Sequence, residues 1–327
     1  MITRRRLLTV SAATLAAPAL VSSAGAQSNW PTKPVRLIIP YPPGGGADII
    51  ARTVGARLSE YWGQQVVVES RGGAGGNIAT DAAVRSPADG YTLYMAGEFV
   101  AMNPFIYPKL TFNAETDLEP VSLVVQYPGA MVVSGQSPIK TLGEFIALAK
   151  KEPGKLTFAS PGTGTGPHLA GELFMRRAGI KLTHVPYRGA GPAIPDAIAG
   201  RVDSFFNNIA PLMGMIKQGQ LRALAVTSGR KAPGADEIPT MADGGMKDFD
   251  VAGWYAFYFP AKTPAEIVRK VSADTQKAVA EQAVKTRFEE LGLFTRGTTP
   301  EQLRAHHKAE MTLWGPVIKD ANIKLGD

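Results

Sequence analysis

Two glycine-rich segments carry the residues with the clearest chemical potential. The first, Tyr41-Pro42-Pro43-Gly44-Gly45-Gly46-Ala47-Asp48, follows the apolar run Val35-Arg36-Leu37-Ile38-Ile39. Its glycines, Gly45 and Gly46 among them, let the backbone approach a ligand with no Cβ in the way. Its prolines restrict how the chain enters the loop. The second, Ser160-Pro161-Gly162-Thr163-Gly164-Thr165-Gly166, repeats the device and adds three hydroxyls as neutral donors. A helix starting after each loop offers N–H groups with no intrahelical partner, which suits a small anion. Neither loop has the Gly-x-x-x-x-Gly-Lys-Ser/Thr spacing of a nucleotide site, and no Gly-x-Gly-x-x-Gly is followed by a ribose-binding acid. Each loop alone reads equally as a plain strand-to-helix turn. Two of them, one in each half of the chain, point to a small anion held between lobes.

Single residues carry less. Asp48 suits either a ligand's ammonium group or the cap of its helix. Arg188 suits a carboxylate or an exposed position, and Tyr41, Tyr187 and Trp254 suit a pocket wall or the core. The four histidines show no metal-ligand spacing, and His306-His307 are neighbours on a helix pattern. Ser160 and His168 invite comparison with a hydrolytic pair, but no Gly-x-Ser-x-Gly elbow is present and no acid is placed to orient the histidine. The sequence therefore predicts no enzyme, no cofactor and no metal.

The elements around these loops alternate. Ile50, Val54, Leu58 and Tyr61 form one apolar helical face, and Val66-Val67-Val68 is the next strand. A third glycine loop, Gly72 to Gly76, leads through a helix to the strand Tyr91 to Met95. Val121 to Val125 and Ala130 to Val133 read as two strands interrupted at Pro128-Gly129. A similar module then begins near residue 140, with strands at Leu156, His184, Asp203 and Leu221. The last hundred residues give the strand Trp254 to Phe259 and two amphipathic helices, Pro264 to Glu290 and Pro300 to Lys319. The first of these is about 40 Å long if unbroken. Repeated strand–loop–helix units make this a doubly wound α/β chain.

Thr3-Arg4-Arg5-Arg6-Leu7-Leu8, an Ala/Leu/Val stretch and Ala24-Gly25-Ala26 are the three parts of a signal peptide, with cleavage expected after Ala26. The paired arginines fit twin-arginine export as well as an ordinary basic head. The net charge of +7 loses the three leader arginines, leaving +4, with no run of like charges. Nucleic-acid binding is therefore not expected. The chain has no cysteine, so disulfides, thiolate chemistry and a lipid-anchored cysteine are excluded.

Ordered motifs along the chain resemble the Bug family, the solute-binding components of tripartite tricarboxylate transporters. They include Pro40 to Asp48, Gly75-Gly76-Asn77-Ile78, Pro87-Ala88-Asp89-Gly90-Tyr91, Gly164 to Glu172, Val185-Pro186-Tyr187-Arg188-Gly189 and Leu224-Ala225-Val226-Thr227. The resemblance implies a type II periplasmic-binding-protein fold, two α/β lobes with mixed sheets and a ligand cleft between them. It implies a periplasmic monomer that binds a small organic carboxylate and delivers it to membrane subunits. The carboxylate would be held by loop backbone, hydroxyls and bridging water. Carried onto this chain, the contacts are Tyr41, Gly45, Gly46, Ala47 and Asp48 in the first lobe. In the second they are Ser160, Thr163, Gly164, Thr165, His168, Arg188, Gly189 and Asn208. The lobes would comprise residues 29–127 with 228–327, and 128–227. Two departures stand out. Phe206-Asn207-Asn208 replaces a Phe-Asp-Asn stretch, which weakens the case for an amino-acid ligand, and Glu98 in Gly97-Glu98-Phe99 replaces a small hydroxyl residue near the pocket mouth. A sensory accessory that presents its ligand to a membrane kinase and an exported hydrolase are the alternative readings.

Overall fold

The computed structural model describes residues 30–41, 43 and 46–325. The expected leader and Gly45 lie outside them. The first half runs β1 (Val35–Ile39), α1 (Gly46–Trp62), β2 (Val66–Ser70), α2 (Asn77–Val84), β3 (Thr92–Gly97), α3 (Phe99–Ile106), α4 (Ala114–Asp117) and the long β4 (Leu118–Ser134). Next come α5 (Leu142–Lys151), β5 (Thr157–Ser160), α6 (Gly166–Ala178), β6 (Thr183–Pro186), α7 (Ala190–Ile198), β7 (Ser204–Asn208), α8 (Met213–Lys217) and β8 (Leu221–Val226). The chain then returns through β9 (Ala252–Pro260), α9 (Ala265–Ala280), α10 (Gln282–Glu290), β10 (Phe294–Thr295) and α11 (Pro300–Asp320).

The strands follow one path, β2-β1-β3-β9-β4-β7-β5-β6, with β8 and β10 added on β4. Pairing is parallel among β1, β2 and β3 and among β5, β6 and β7. It is antiparallel wherever β4 or β9 takes part. This is a mixed sheet in two halves, and β4 belongs to both. Its Leu118–Pro128 portion pairs with β9, and Gly129–Ser134 pairs with β7 and β8.

The interruption expected at Pro128-Gly129 does not occur. Pro128 is the last residue in register with β9, and Gly129 is the first in register with β7. The N–H that proline lacks thus falls where the ladder changes partner, the position at which a strand tolerates it best. The single long helix expected over 264–290 is two helices. Glu281 between them is extended (φ −64°, ψ 136°), and its carboxylate is tied to Arg57 at 2.8 Å and to the Tyr61 hydroxyl. Helix α3, with Pro104 inside it, went unread because Phe99 to Met102 is apolar without periodicity and proline argues against a helix.

Each half-sheet is covered on both faces. In the first lobe, Ile50, Val54 and Leu58 of α1 join Val271 of α9 against Leu37 and Ile39, while α2 and α3 cover the face bearing Ile38, Tyr94 and Tyr258. In the second, Phe145 and Phe174 pack with Phe158 and Phe206, and Ala193 and Ala197 of α7 cover Phe205. Two segments that the sequence placed with the first lobe pack against these second-lobe clusters. They are Ala232 to Phe249 and the end of α11 with its tail, Trp314 to Ile323. The 228–251 stretch has no period to read, so only its contacts reveal where it belongs.

Candidate functional site

In a doubly wound sheet the helices begin beyond the carboxyl ends of the parallel strands, and ligands bind there. The two half-sheets turn those ends toward each other. β1 delivers Tyr41, Gly46 and Ala47, β3 delivers Glu98 and Phe99, β5 delivers Pro161 to Gly166, and β7 delivers Asn207 and Asn208. These segments line one cleft of about 740 Å³, within the usual range for a small-molecule site. No lysine, arginine or histidine lines it among the described residues.

The second-lobe wall is built from backbone and hydroxyls. α6 opens on Thr165, whose side chain accepts from the His168 N–H at 3.5 Å and donates to the Gly162 carbonyl at 2.7 Å. Pro167 follows in the first turn, where its missing N–H costs nothing. Thr165 thus caps the helix as well as facing the cleft. Thr163 is exposed, and its hydroxyl forms no hydrogen bond among the described residues. Gly162 (φ 152°) and Gly164 (φ 78°) hold backbone conformations that a side chain would strain.

Behind this loop stands a histidine pair. The Gly164 N–H donates to Nδ1 of His168 at 3.0 Å, and His168 stacks on His184 with ring centroids 3.9 Å apart. Nε2 of His184 is 2.7 Å from the Ser160 hydroxyl, which accepts from the Gly162 N–H at 3.2 Å. Ser160 is 0% exposed and His168 3%. Burial, with His168 adding to it, pushes the His184 imidazole down to about 4. Ser160 and His168 therefore brace the loop from behind. Ser160 is paired with His184 rather than His168, and neither residue lines the cleft.

The first-lobe wall is aromatic. Tyr41 meets Phe99 and Tyr255 edge-on at 6.3 Å, and Tyr127 lies 5.3 Å from Tyr255. Two glycines make room for these rings. A Cβ on Gly253 would stand 2.0 Å from the Tyr127 ring, and one on Gly76 (φ 91°) 2.4 Å from Phe99. Glu98 sits among the rings. Its Oε2 accepts from the Tyr127 hydroxyl at 2.7 Å and from the Trp254 N–H at 3.4 Å. Burial raises its carboxyl above the ordinary range, and those two hydrogen bonds, with one from its own backbone N–H, only partly offset this. Tyr41 is 37% exposed toward the cleft, yet its phenol is raised by the crowding of protein around it and by Tyr255 and Glu98.

Of the residues expected at the site, Tyr41, Gly46, Ala47, Thr163, Gly164, Thr165 and Asn208 line the cleft. Asp48, in the first turn of α1, is buried and pairs with Arg52 of the same helix at 2.9 Å. Arg188 is exposed and Gly189 donates its N–H to Pro161 at 2.8 Å, and neither lines the cleft. Trp254 is core, and the Tyr187 hydroxyl donates to Asp196. Among the described residues, no cluster of histidine and carboxylate side chains could hold a metal. The lining residues that sequence patterns passed over include Met102, Asn103, Tyr107, Tyr127 and Tyr255. For that wall the sequence offered Tyr41 and the altered Gly97-Glu98-Phe99 stretch.

The fold and the interlobe cleft define a two-lobed solute-binding receptor of the periplasmic-binding-protein type. Residues 50–323 match the model described as the tripartite tricarboxylate transporter family receptor, and the chain belongs to that family. It is 37% identical over 318 residues, 96% of this chain and 94% of the relative, to a UPF0065 protein from the tcbD-tcbE intergenic region of Pseudomonas sp. strain P51. It is 34% identical over 322 residues, 98% of each chain, to the protein BugT of Bordetella pertussis. R. palustris Rpa4515, solved with adipate, superposes with a TM-score of 0.79 at 32% identity, covering 90% of this chain and 100% of that one. The family and fold are those of receptors, not enzymes.

Proposed function

We propose that this protein is a periplasmic receptor that captures a small organic carboxylate between its lobes and delivers it, as a monomer, to the membrane subunits of a tripartite tricarboxylate transporter. The observation that carries the reading is the composition of the cleft. The N-terminal ends of α1 and α6, the Thr163 hydroxyl and the Asn207 and Asn208 amides line it, and no cationic side chain does among the described residues. The N–H groups of Gly162, Gly164, Thr165 and His168 are taken within the α6 loop, so the grip would come from Gly166, the start of α1 and the neutral side-chain donors, without a salt bridge. The adipate in the R. palustris relative supports the ligand class. The lobes would hinge where β4 passes from one half-sheet to the other, at Pro128 and Gly129. Among the described residues no helix is long and apolar enough to cross a membrane.

A thermal-shift screen of organic acids tests the binding. A true ligand at about 100 times its Kd stabilises the protein by about 2.7 kcal/mol, and small-angle scattering should then record a smaller radius of gyration. A screen of mono-, di- and aminocarboxylates that leaves the melting temperature unmoved would count against the reading.

A further inference from the structure

Glu98 is the one acidic or basic side chain among the described residues that line the cleft, and its two oxygens stand in different surroundings. Oε2 already accepts two hydrogen bonds, from Tyr127 and from the Trp254 backbone. Oε1 lies 3.0 Å from where a Cβ on Gly166 of the opposite lobe would stand. Across the boundary, Asn207 is 4% exposed and its Nδ2 has no hydrogen-bond partner. Both residues line a chamber of about 30 Å³ that adjoins the cleft. A water needs about 10–15 Å³ of such space, so the chamber seats one or two small polar groups.

A buried amide donor left open beside a half-buried carboxyl group calls for a ligand that supplies an acceptor to the one and a donor to the other. The rings of Tyr41, Phe99, Tyr127 and Tyr255 sharpen the demand. Their faces attract a cation, and together with Glu98 they oppose a second carboxylate. We propose that the cleft selects carboxylates that also carry a cationic nitrogen, amino acids in zwitterionic form, with Glu98 receiving the ammonium group and Asn207 donating to the carboxylate. This rests on the carboxylate reading above. The acid absent from position 207 is thereby answered by Glu98 from the other lobe.

The charge of Glu98 gives the inference a sign. Burial favours its neutral form in the empty cleft, and a bound ammonium favours its ionised form. Amino-acid affinity therefore falls as pH drops through the Glu98 titration, whereas a dicarboxylate held by protonated Glu98 would gain. The phenols of Tyr41, Tyr127 and Tyr255 are all raised and stay neutral throughout. Glu310 of α11 reaches the Trp254 indole at 3.3 Å, Asp48 is paired with Arg52, and His168 stands behind the α6 loop.

Calorimetry on the full mature chain decides it, using matched C4 to C6 sets: the monocarboxylate, its 2-amino and ω-amino derivatives, and the dicarboxylate. In wild type, one aminocarboxylate binds at least about tenfold tighter than the dicarboxylate of its length, as one charge-assisted hydrogen bond allows. Glu98→Gln removes that preference, read as the ratio of aminocarboxylate to dicarboxylate affinity within the same variant, and Glu98→Asp restores part of it. A wild-type preference for dicarboxylates, or a preference unmoved by Glu98→Gln, overturns the inference and leaves the carboxylate reading standing. Heat from no member of any set overturns both. The wild-type comparison needs no variant to fold.

Discussion

The two walls of the cleft solve different problems with different materials. The second-lobe wall is a short glycine and threonine loop held from behind by Ser160, His168 and His184. The first-lobe wall is a set of large rings seated in notches left by Gly76 and Gly253, with a carboxyl at its centre. Under the proposed function the loop would supply a general grip on a carboxylate, and the rings and carboxyl of the other wall would discriminate by size and charge.

The largest expected effect breaks the aromatic wall. Gly253→Ala puts a Cβ 2.0 Å from the Tyr127 ring, which must swing away and release Glu98. Overpacking of this kind costs about 1–3 kcal/mol. Chemical denaturation should register that loss, and calorimetry at least a tenfold weaker binding of whichever carboxylate the screen finds.

A smaller effect divides two threonines of the opposite wall. Thr163→Val removes a hydroxyl that faces the cleft and makes no bond among the described residues. It should weaken binding about tenfold and leave the melting temperature of the empty protein in place. Thr165→Val removes the helix cap, so it should cost about 1 kcal/mol of stability before any ligand is added. Arg188→Ala, an exposed position outside the cleft, should bind normally. Equal behaviour of the two threonine variants would erase the distinction between gripping and bracing residues.

The smallest effect concerns the brace. His184, His306 and His307 are each pushed down to about 4 by burial. A histidine whose folded pKa is depressed is neutral in the folded state and takes up its proton on unfolding. Its contribution is thus present at neutral pH and lost as pH falls from about 6.5 toward 4. NMR titration of the imidazole resonances should find those three unprotonated at pH 5.5. A His184 that titrates near 6.5 would mean that the loop is braced in some other way.

How much of this was legible in the sequence follows the same divide. The second wall was readable because a strand, glycines, hydroxyls and a helix start stand consecutively from Thr157 to His168. The first wall was not, because its members come from four separate elements and look like core residues until the sheet order brings them together. Tyr127 and Tyr255 are 128 residues apart in the chain, yet their ring centroids lie 5.3 Å apart. Burial also reversed some roles. Asp48 and Ser160 sit in the right segments, but their side chains turn inward. The helix break at Glu281 had no local signal, since its cause is a partner on α1.

The continuity of β4 has a further consequence, for how the molecule comes apart. Seventeen residues of one strand supply hydrogen bonds to both half-sheets and apolar side chains to cores on both sides of the cleft. Melting either lobe alone would leave half of that strand with an unpaired edge and a bare apolar face. The two halves should therefore share one fate on heating, with a single cooperative transition for the whole chain.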